Sequence, residues 1–161
     1  WDGNVTLSEN KIKNYVAYYD LYDNSYDYNW LGQESESLKS TDISFSPNTV
    51  ASSLLTLNAT KDLSFNFMSK YVSKQYCDNT SNDNRSLDAY FVNNASVNYT
   101  FKANKDMDIN LQFIVNNAFD EKYVANAWMA TDHFSDGSEI VYKGFYPQAT
   151  RNFMGRLTVK F

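Results

Sequence analysis

Cysteine occurs once in the 161 residues, at Cys77. No disulfide can therefore form within the chain, and neither a zinc cluster of cysteines nor a CxxC redox pair can be built. Histidine also occurs once, at His133, leaving a single imidazole for acid–base work, and no G-x-S-x-G, H-E-x-x-H or P-loop sequence accompanies it. The chain reads as no enzyme, with no cofactor and no metal site. It has no concentrated basic run: 14 basic against 19 acidic residues give a net charge of -5, which argues against nucleic acid as a partner. A positively charged start followed by an apolar run is missing, so no signal peptide is expected. No stretch approaches about 18 apolar residues, which excludes a transmembrane helix but not a transmembrane barrel, whose strands need only about 9 to 11.

What the sequence does contain is alternation and aromatic side chains, thirteen tyrosines and eleven phenylalanines among them. At the C-terminal end Phe153, Gly155, Leu157, Val159 and Phe161 alternate with Asn152, Arg156, Thr158 and Lys160, with Met154 the exception. That is the period of a strand with one dry and one wet face. The same pattern predicts six strands: Asn4 to Tyr19 (blurred from Lys11 to Tyr15), Asp42 to Ala59 with Pro47 near its outer part, Leu63 to Gln75, Leu87 to about Lys102, the sharply alternating stretch around Ile109 to Asn116 with Ile114 out of place, and Tyr142 onward. Between them, Asp20 to Thr41 and Asn117 to Lys143 read as long exposed loops and Asp78 to Arg85 as a polar connection of self-bonding side chains. Thr60 to Asp62 and Ala103 to Asp106 read as tight turns. Connections thus run long, short, long, short, long.

The apolar stripes carrying Phe65, Val97, Phe113 and Leu157 need a cover, and composition leaves two open. One is lipid, because outer-membrane barrels show this rhythm of short turns on one rim and long loops on the other, with aromatic girdles flanking the dry band. The other is a protein core, in a soluble extracellular β-sandwich or small barrel that binds carbohydrate. The N-x-[ST] matches, those at Asn4, Asn58, Asn79, Asn84 and Asn98 among them, are the incidental product of an Asn-rich chain.

Val115 to Tyr123, reading VNNAFDEKY, and Tyr146 to Phe161, reading YPQATRNFMGRLTVKF, resemble the end of a TonB-dependent outer-membrane receptor of the Bacteroidetes-like type. The matching positions are Asn117, Ala118 (usually leucine), Phe119, Asp120 and Tyr123, then Pro147, Arg151, Phe153 and the terminal aromatic Phe161. Thr41-Asp42-Ile43, Phe45-Ser46-Pro47-Asn48, Ser69 to Val72, Lys74 to Tyr76, Asp78 to Thr80 and Leu87 to Phe91 extend the resemblance over nearly the whole chain.

The resemblance implies an all-β fold, an antiparallel up-and-down meander of about six strands forming part of a 22-stranded transmembrane β-barrel. Residues 1–161 would be its C-terminal portion, without plug or earlier strands. It implies active uptake, at the cell outer membrane, of a scarce solute such as a siderophore, haem, cobalamin or an oligosaccharide, with long loops extracellular and the C-terminus periplasmic. The implied partners are the remaining strands and plug of the receptor, TonB-ExbB-ExbD, the barrel assembly machinery, the lipid bilayer and an accessory lipoprotein. Phe153, Leu157, Val159 and Phe161 would be the assembly signal, and Asn110, Gln112, Arg156, Thr158 and Lys160 would face the lumen. From residue chemistry, Tyr123, Trp128, Asp132 and His133 are the candidate solute contacts, while Asp132 beside His133 lacks the further ligands of a metal site.

Overall fold

The computed structural model describes residues 1–161. Twelve strands follow one another: β1 (Asp2–Leu7), β2 (Lys11–Tyr22), β3 (Trp30–Asp42), β4 (Thr49–Asn58), β5 (Leu63–Val72), β6 (Gln75–Tyr76), β7 (Ser86–Leu87), β8 (Tyr90–Asn104), β9 (Met107–Asn116), β10 (Val124–Phe134), β11 (Glu139–Pro147) and β12 (Asn152–Lys160). They form a six-stranded antiparallel sheet in the order β1-β4-β5-β8-β9-β12, a four-stranded sheet β11-β10-β2-β3, and the ribbon β6-β7. In the four-stranded sheet β10 meets β2 in parallel through His133 opposite Leu21 and Phe134 opposite Tyr22.

Alternation builds the large sheet row by row. Leu57, Phe65, Val97, Phe113 and Gly155 stand opposite one another across five strands, and Leu55, Phe67, Ala95, Val115 and Phe153 form the neighbouring row. The other face carries polar rows tied by side-chain hydrogen bonds, with Thr56 Oγ1 donating to Asn66 Oδ1 at 2.9 Å and Asn110 Nδ2 to Thr100 Oγ1 at 2.8 Å. Ile114 and Met154, the two residues that break the sequence pattern, are directly opposite each other on this polar face. Each supplies the apolar cross-strand neighbour the other needs.

Apart from the Phe119 ring, 6.2 Å from that of Phe67, the apolar rows lie open. Phe65 is 44% exposed, Phe113 48% and Leu157 64%. Full burial is confined to nine residues, so no core closes over this face. The buried apolar residues Val72, Leu87, Ala127 and Phe134 lie instead near the ribbon and along β10.

This architecture corrects the expectation of a 22-stranded transmembrane barrel. The three sheets are separate and open, and the large one ends in β1 and β12, each with one edge unpaired. Asp20 to Thr41 and Asn117 to Lys143, expected as loops, are largely strand: the first holds the end of β2 and nearly all of β3, the second all of β10 and the start of β11. The placement in an outer membrane, with long loops outside and the C-terminus in the periplasm, depended on closure and falls with it. An open sheet in hydrocarbon would leave each edge amide and carbonyl without a partner, at several kcal/mol apiece. No helix of the chain is long and apolar enough to cross a membrane.

Turns follow local side-chain chemistry. Thr60 Oγ1 accepts from the amides of Asp62 and Leu63 between β4 and β5, and Asn104 Oδ1 accepts from Asp106 N between β8 and β9. Asp136-Gly137 turns β10 into β11, with Gly137 at φ +84°, a conformation that favours glycine. At the tip of β2–β3, Asp23 accepts from the Ser25 amide and hydroxyl and from the Asn29 amide and side chain. These bonds to Ser25 and Asn29 hold the Asp23 carboxyl down to about 2. Because the folded value is depressed, the turn's contribution to stability is complete above the ordinary value of about 3.9 and is lost as pH falls through the folded one. The Ser25 and Asn29 amide resonances should therefore titrate together near pH 2, and Asp23→Asn should abolish that titration. A common midpoint near pH 4 would show that the turn does not hold the ionised carboxylate.

Candidate binding cleft

Between the four-stranded sheet and the Asp78–Arg85 connection lies a cleft of about 660 Å³, within the size range of small-molecule sites. β2 contributes Tyr15, Ala17, Tyr18, Tyr19, Asp20 and Tyr22 to its lining, and the end of β10 contributes Asp132 and His133. The short parallel pairing of β10 on β2 brings these segments together. It sets the His133 ring 4.1 Å from that of Tyr19, tilted by 30°. Burial raises the Tyr19 phenol above its usual range, helped by the negative Glu34 and Glu36, so at neutral pH this hydroxyl keeps its proton.

The floor is organised by Arg85, which is 8% exposed. Its Nη1 donates to Asp78 Oδ2 at 3.2 Å and its Nη2 to Glu139 Oε2 at 2.8 Å. Its Nε is buried and has no partner. One guanidinium thereby joins the Asp78–Arg85 connection to the first residue of β11. The connection is itself stiffened by Asp78 Oδ1, which accepts from the Thr80 amide and hydroxyl, and by Asn82 Oδ1, which accepts from the Asn84 amide. It is fastened to the β3–β4 corner by Ser81 Oγ, which accepts from the Asp42 amide, and by Asn79 Oδ1, which accepts from the Ser44 amide. Lys11 Nζ, 2.7 Å from Asp42 Oδ1, closes the same corner. Lys11 foremost, then Ser81, holds the Asp42 carboxyl below its ordinary value.

Two of the four sequence-derived solute contacts, Asp132 and His133, lie in this cleft. The other two do not. Trp128 is half exposed and stands across the strand pair from Gly144, where an added Cβ would meet its ring nitrogen at 1.9 Å. Tyr123 stacks on Tyr90 at 4.4 Å in a separate hollow with Leu87 and Phe145. Sequence reasoning missed Tyr15, Tyr19, Glu36 and Arg85. The tyrosine-rich run from Tyr15 to Tyr22 was the available signal, obscured because Asn14, at φ +56°, interrupts the alternation. No group of three or more His, Cys, Asp and Glu side chains is placed to hold a metal ion.

The residues expected to face a lumen share the polar face of the large sheet. Asn110 stands opposite Thr158, Gln112 opposite Arg156, and Lys160 opposite Asp108. There is no enclosed lumen for them to line. Phe153, Leu157, Val159 and Phe161 are all exposed, on or just beyond the edge strand β12.

No protein-family model matches the chain, and no curated protein matches it. Among solved structures it is similar to the ferric-catecholate import receptor Fiu of E. coli K12. For the open form the TM-score is 0.51 at 20% identity, over 80% of this chain and 17% of the receptor. The closed form gives 0.49 at the same coverage. A mutant of the ferric enterobactin receptor PfeA of Pseudomonas aeruginosa gives 0.46 at 17% identity, over 92% of this chain and 27% of that one. The likeness is one of fold.

It is also distant and partial, since the chain spans about a sixth to a quarter of the receptors it matches. With the sheets unclosed, it overturns the assignment of residues 1–161 to the C-terminal barrel segment of a TonB-dependent receptor, and with it the reading of the chain as a transmembrane β-barrel of active uptake. The one histidine is packed against a tyrosine ring.

Proposed function

We propose that the chain is a carbohydrate-binding β module and that the cleft between β2, β10 and the Asp78–Arg85 connection is where the sugar sits. The observation that carries this reading is the Tyr19–His133 ring pair in a cleft that also presents carboxyl groups. Aromatic surface suits the apolar face of a pyranose, and carboxylates with a protonated phenol suit its hydroxyls. Asp132 and His133 are the sequence-derived contacts that this proposal retains.

Calorimetric titration with cellotriose, maltotriose and N-acetylchitotriose tests it. At least one trisaccharide should bind, and Tyr19→Ala should weaken that binding by about tenfold, the equivalent of roughly 1.4 kcal/mol of lost aromatic contact. Absence of binding by all three at millimolar concentration, or undiminished affinity in Tyr19→Ala, would overturn the assignment.

Of the wider partner set, this reading keeps the contacts that exposed features suit. These are further strands pairing at the free edges of β1 and β12, and an apolar surface against the Leu57-to-Gly155 row. The unpaired backbone of β12, with Phe153, Leu157, Val159 and Phe161 beside it, suits recognition by strand addition.

A further inference from the structure

One face of the six-stranded sheet carries no charge. Between the row of Val5 and Phe91 at one end of the strands and that of Phe101 and Val159 at the other, it holds no aspartate, glutamate, lysine or arginine. Lys70, Lys102, Asp108, Arg156 and Lys160 all stand on the opposite face. A surface meant for water normally carries charge at about a quarter of its positions or more.

The area involved is large. Six rings on this face, those of Phe65, Phe67, Phe91, Tyr99, Phe113 and Phe153, belong to residues that are on average about half exposed, and Leu55, Leu57, Leu111 and Leu157 are exposed to a similar degree. Together they leave roughly 800 Å² of apolar side chain open to water. The largest apolar patch of an ordinary monomer is about 300 to 600 Å², whereas a standard interface takes about 800 Å² from each partner.

The sheet's edges select among covers. β1 and β12 end the sheet, and because every neighbouring pair in it is antiparallel, these two strands run in opposite directions. A twofold axis parallel to the strands, set between two such apolar faces, lays β12 of one copy over β1 of the other on both sides of the assembly, antiparallel each time. The operation that covers the face thus also brings each unpaired edge to one able to accept it. A lipid surface would cover the face and offer the edge amides and carbonyls nothing. Homodimer interfaces are also the more apolar class, with charge depleted at their centre. We propose that this face is a homodimer interface, where a second copy of the chain completes a two-sheet sandwich with the apolar sides inward.

This stands independently of sugar binding, whose cleft is walled by the other large sheet. Size exclusion with light scattering tests it, on the full chain at about 10 μM in detergent-free buffer, a concentration at which a standard-size interface is occupied. A single species of twice the chain mass should elute. Leu157→Glu and Phe113→Glu each place a carboxylate on the apolar face and should weaken dimerisation by about thirtyfold or more. Arg156→Glu, one residue away on the opposite face of β12, should leave the dimer intact. Strand content by circular dichroism should match the parent in all three variants.

A monomer at that concentration, or an aggregate without defined mass, would overturn the proposal. So would a monomer that co-sediments with phosphatidylcholine vesicles, which would make lipid the cover. A dimer left intact by both Leu157→Glu and Phe113→Glu would place the contact on another surface and overturn it equally.

Discussion

Replacing Asn117 by alanine should lower the free energy of unfolding by about 3 to 4 kcal/mol, among the largest single-residue losses in the chain. Asn117 is 3% exposed and sits at φ +49° immediately after β9. Its Nδ2 donates to the carbonyls of Glu121 at 2.8 Å and Ala149 at 3.2 Å, and its Oδ1 accepts from the Glu121 amide at 2.9 Å. Its own amide donates to Asn94 Oδ1 at 2.8 Å. One side chain thus ties the end of β9 to the loop before β10 and to the segment leading into β12. Alanine removes three bonds, leaves buried backbone groups unpaired and strains a left-handed conformation that asparagine tolerates. Asn117→Gly separates these contributions, since it relieves the backbone strain of about 1 kcal/mol but restores no hydrogen bond. Chemical denaturation of both variants checks the prediction. A loss below about 1 kcal/mol in the alanine variant would mean that water replaces all three bonds at no cost.

Arg85→Met should cost about 2 to 3 kcal/mol. Removing one partner of a fully buried ion pair typically costs about 3 to 5 kcal/mol, but Asp78 and Glu139 each keep a third of their side-chain surface in solvent, which screens the exposed charges and lowers the figure. Both carboxylates would then face one another across the cleft floor with nothing between them. Adding Glu139→Gln to Arg85→Met should return part of the loss by removing the repulsion. Arg85→Lys should not return it all, because an ammonium lacks the planar fork that lets one guanidinium serve two carboxylates. Thermal unfolding of the three variants measures this. Unchanged stability in Arg85→Met would mean that the Asp78–Arg85 connection is held by Asp42–Ser81 and Ser44–Asn79 alone.

Where a strand has one apolar face, its position was legible. Leu63, Phe65 and Phe67, and Ile109, Leu111, Phe113 and Val115, mark β5 and β9 because each row of the large sheet repeats the same side. β3 left no such mark. In Trp30–Asp42 serine, glutamate and glutamine occupy successive positions, and most of the strand is exposed, so neither side carries an apolar stripe to read. Glycine and turn formers around it then suggested a loop. β10 and the start of β11 were hidden for a related reason: Asp136-Gly137 was recognisable as a turn, but the polar residues around it gave no sign that the flanks pair from His133–Glu139 down to Val124–Pro147. Closure was misjudged because alternation reports two unlike faces and says nothing about whether the sheet's ends meet.

The cleft was less legible than the strands. Tyr19, Arg85 and His133 are separated by long stretches of chain and meet through the parallel contact of β10 with β2, a pairing no local pattern announces. Asp132 and His133 were singled out for their chemistry, and both line the cleft. Trp128, singled out for the same reason, packs over Gly144, where only the absence of a Cβ makes room for its ring.

The two hairpins that wall the cleft are joined by two parallel rungs, at His133 and Phe134, with the Ser135 amide on the Tyr22 carbonyl and the Ser135 hydroxyl on Asn24 beside them. Each hairpin, by contrast, holds itself together along nearly its full length. Mechanical compliance is therefore concentrated at a single seam, and a guest slightly too wide would be accommodated there, by parting a few bonds, before either hairpin deformed.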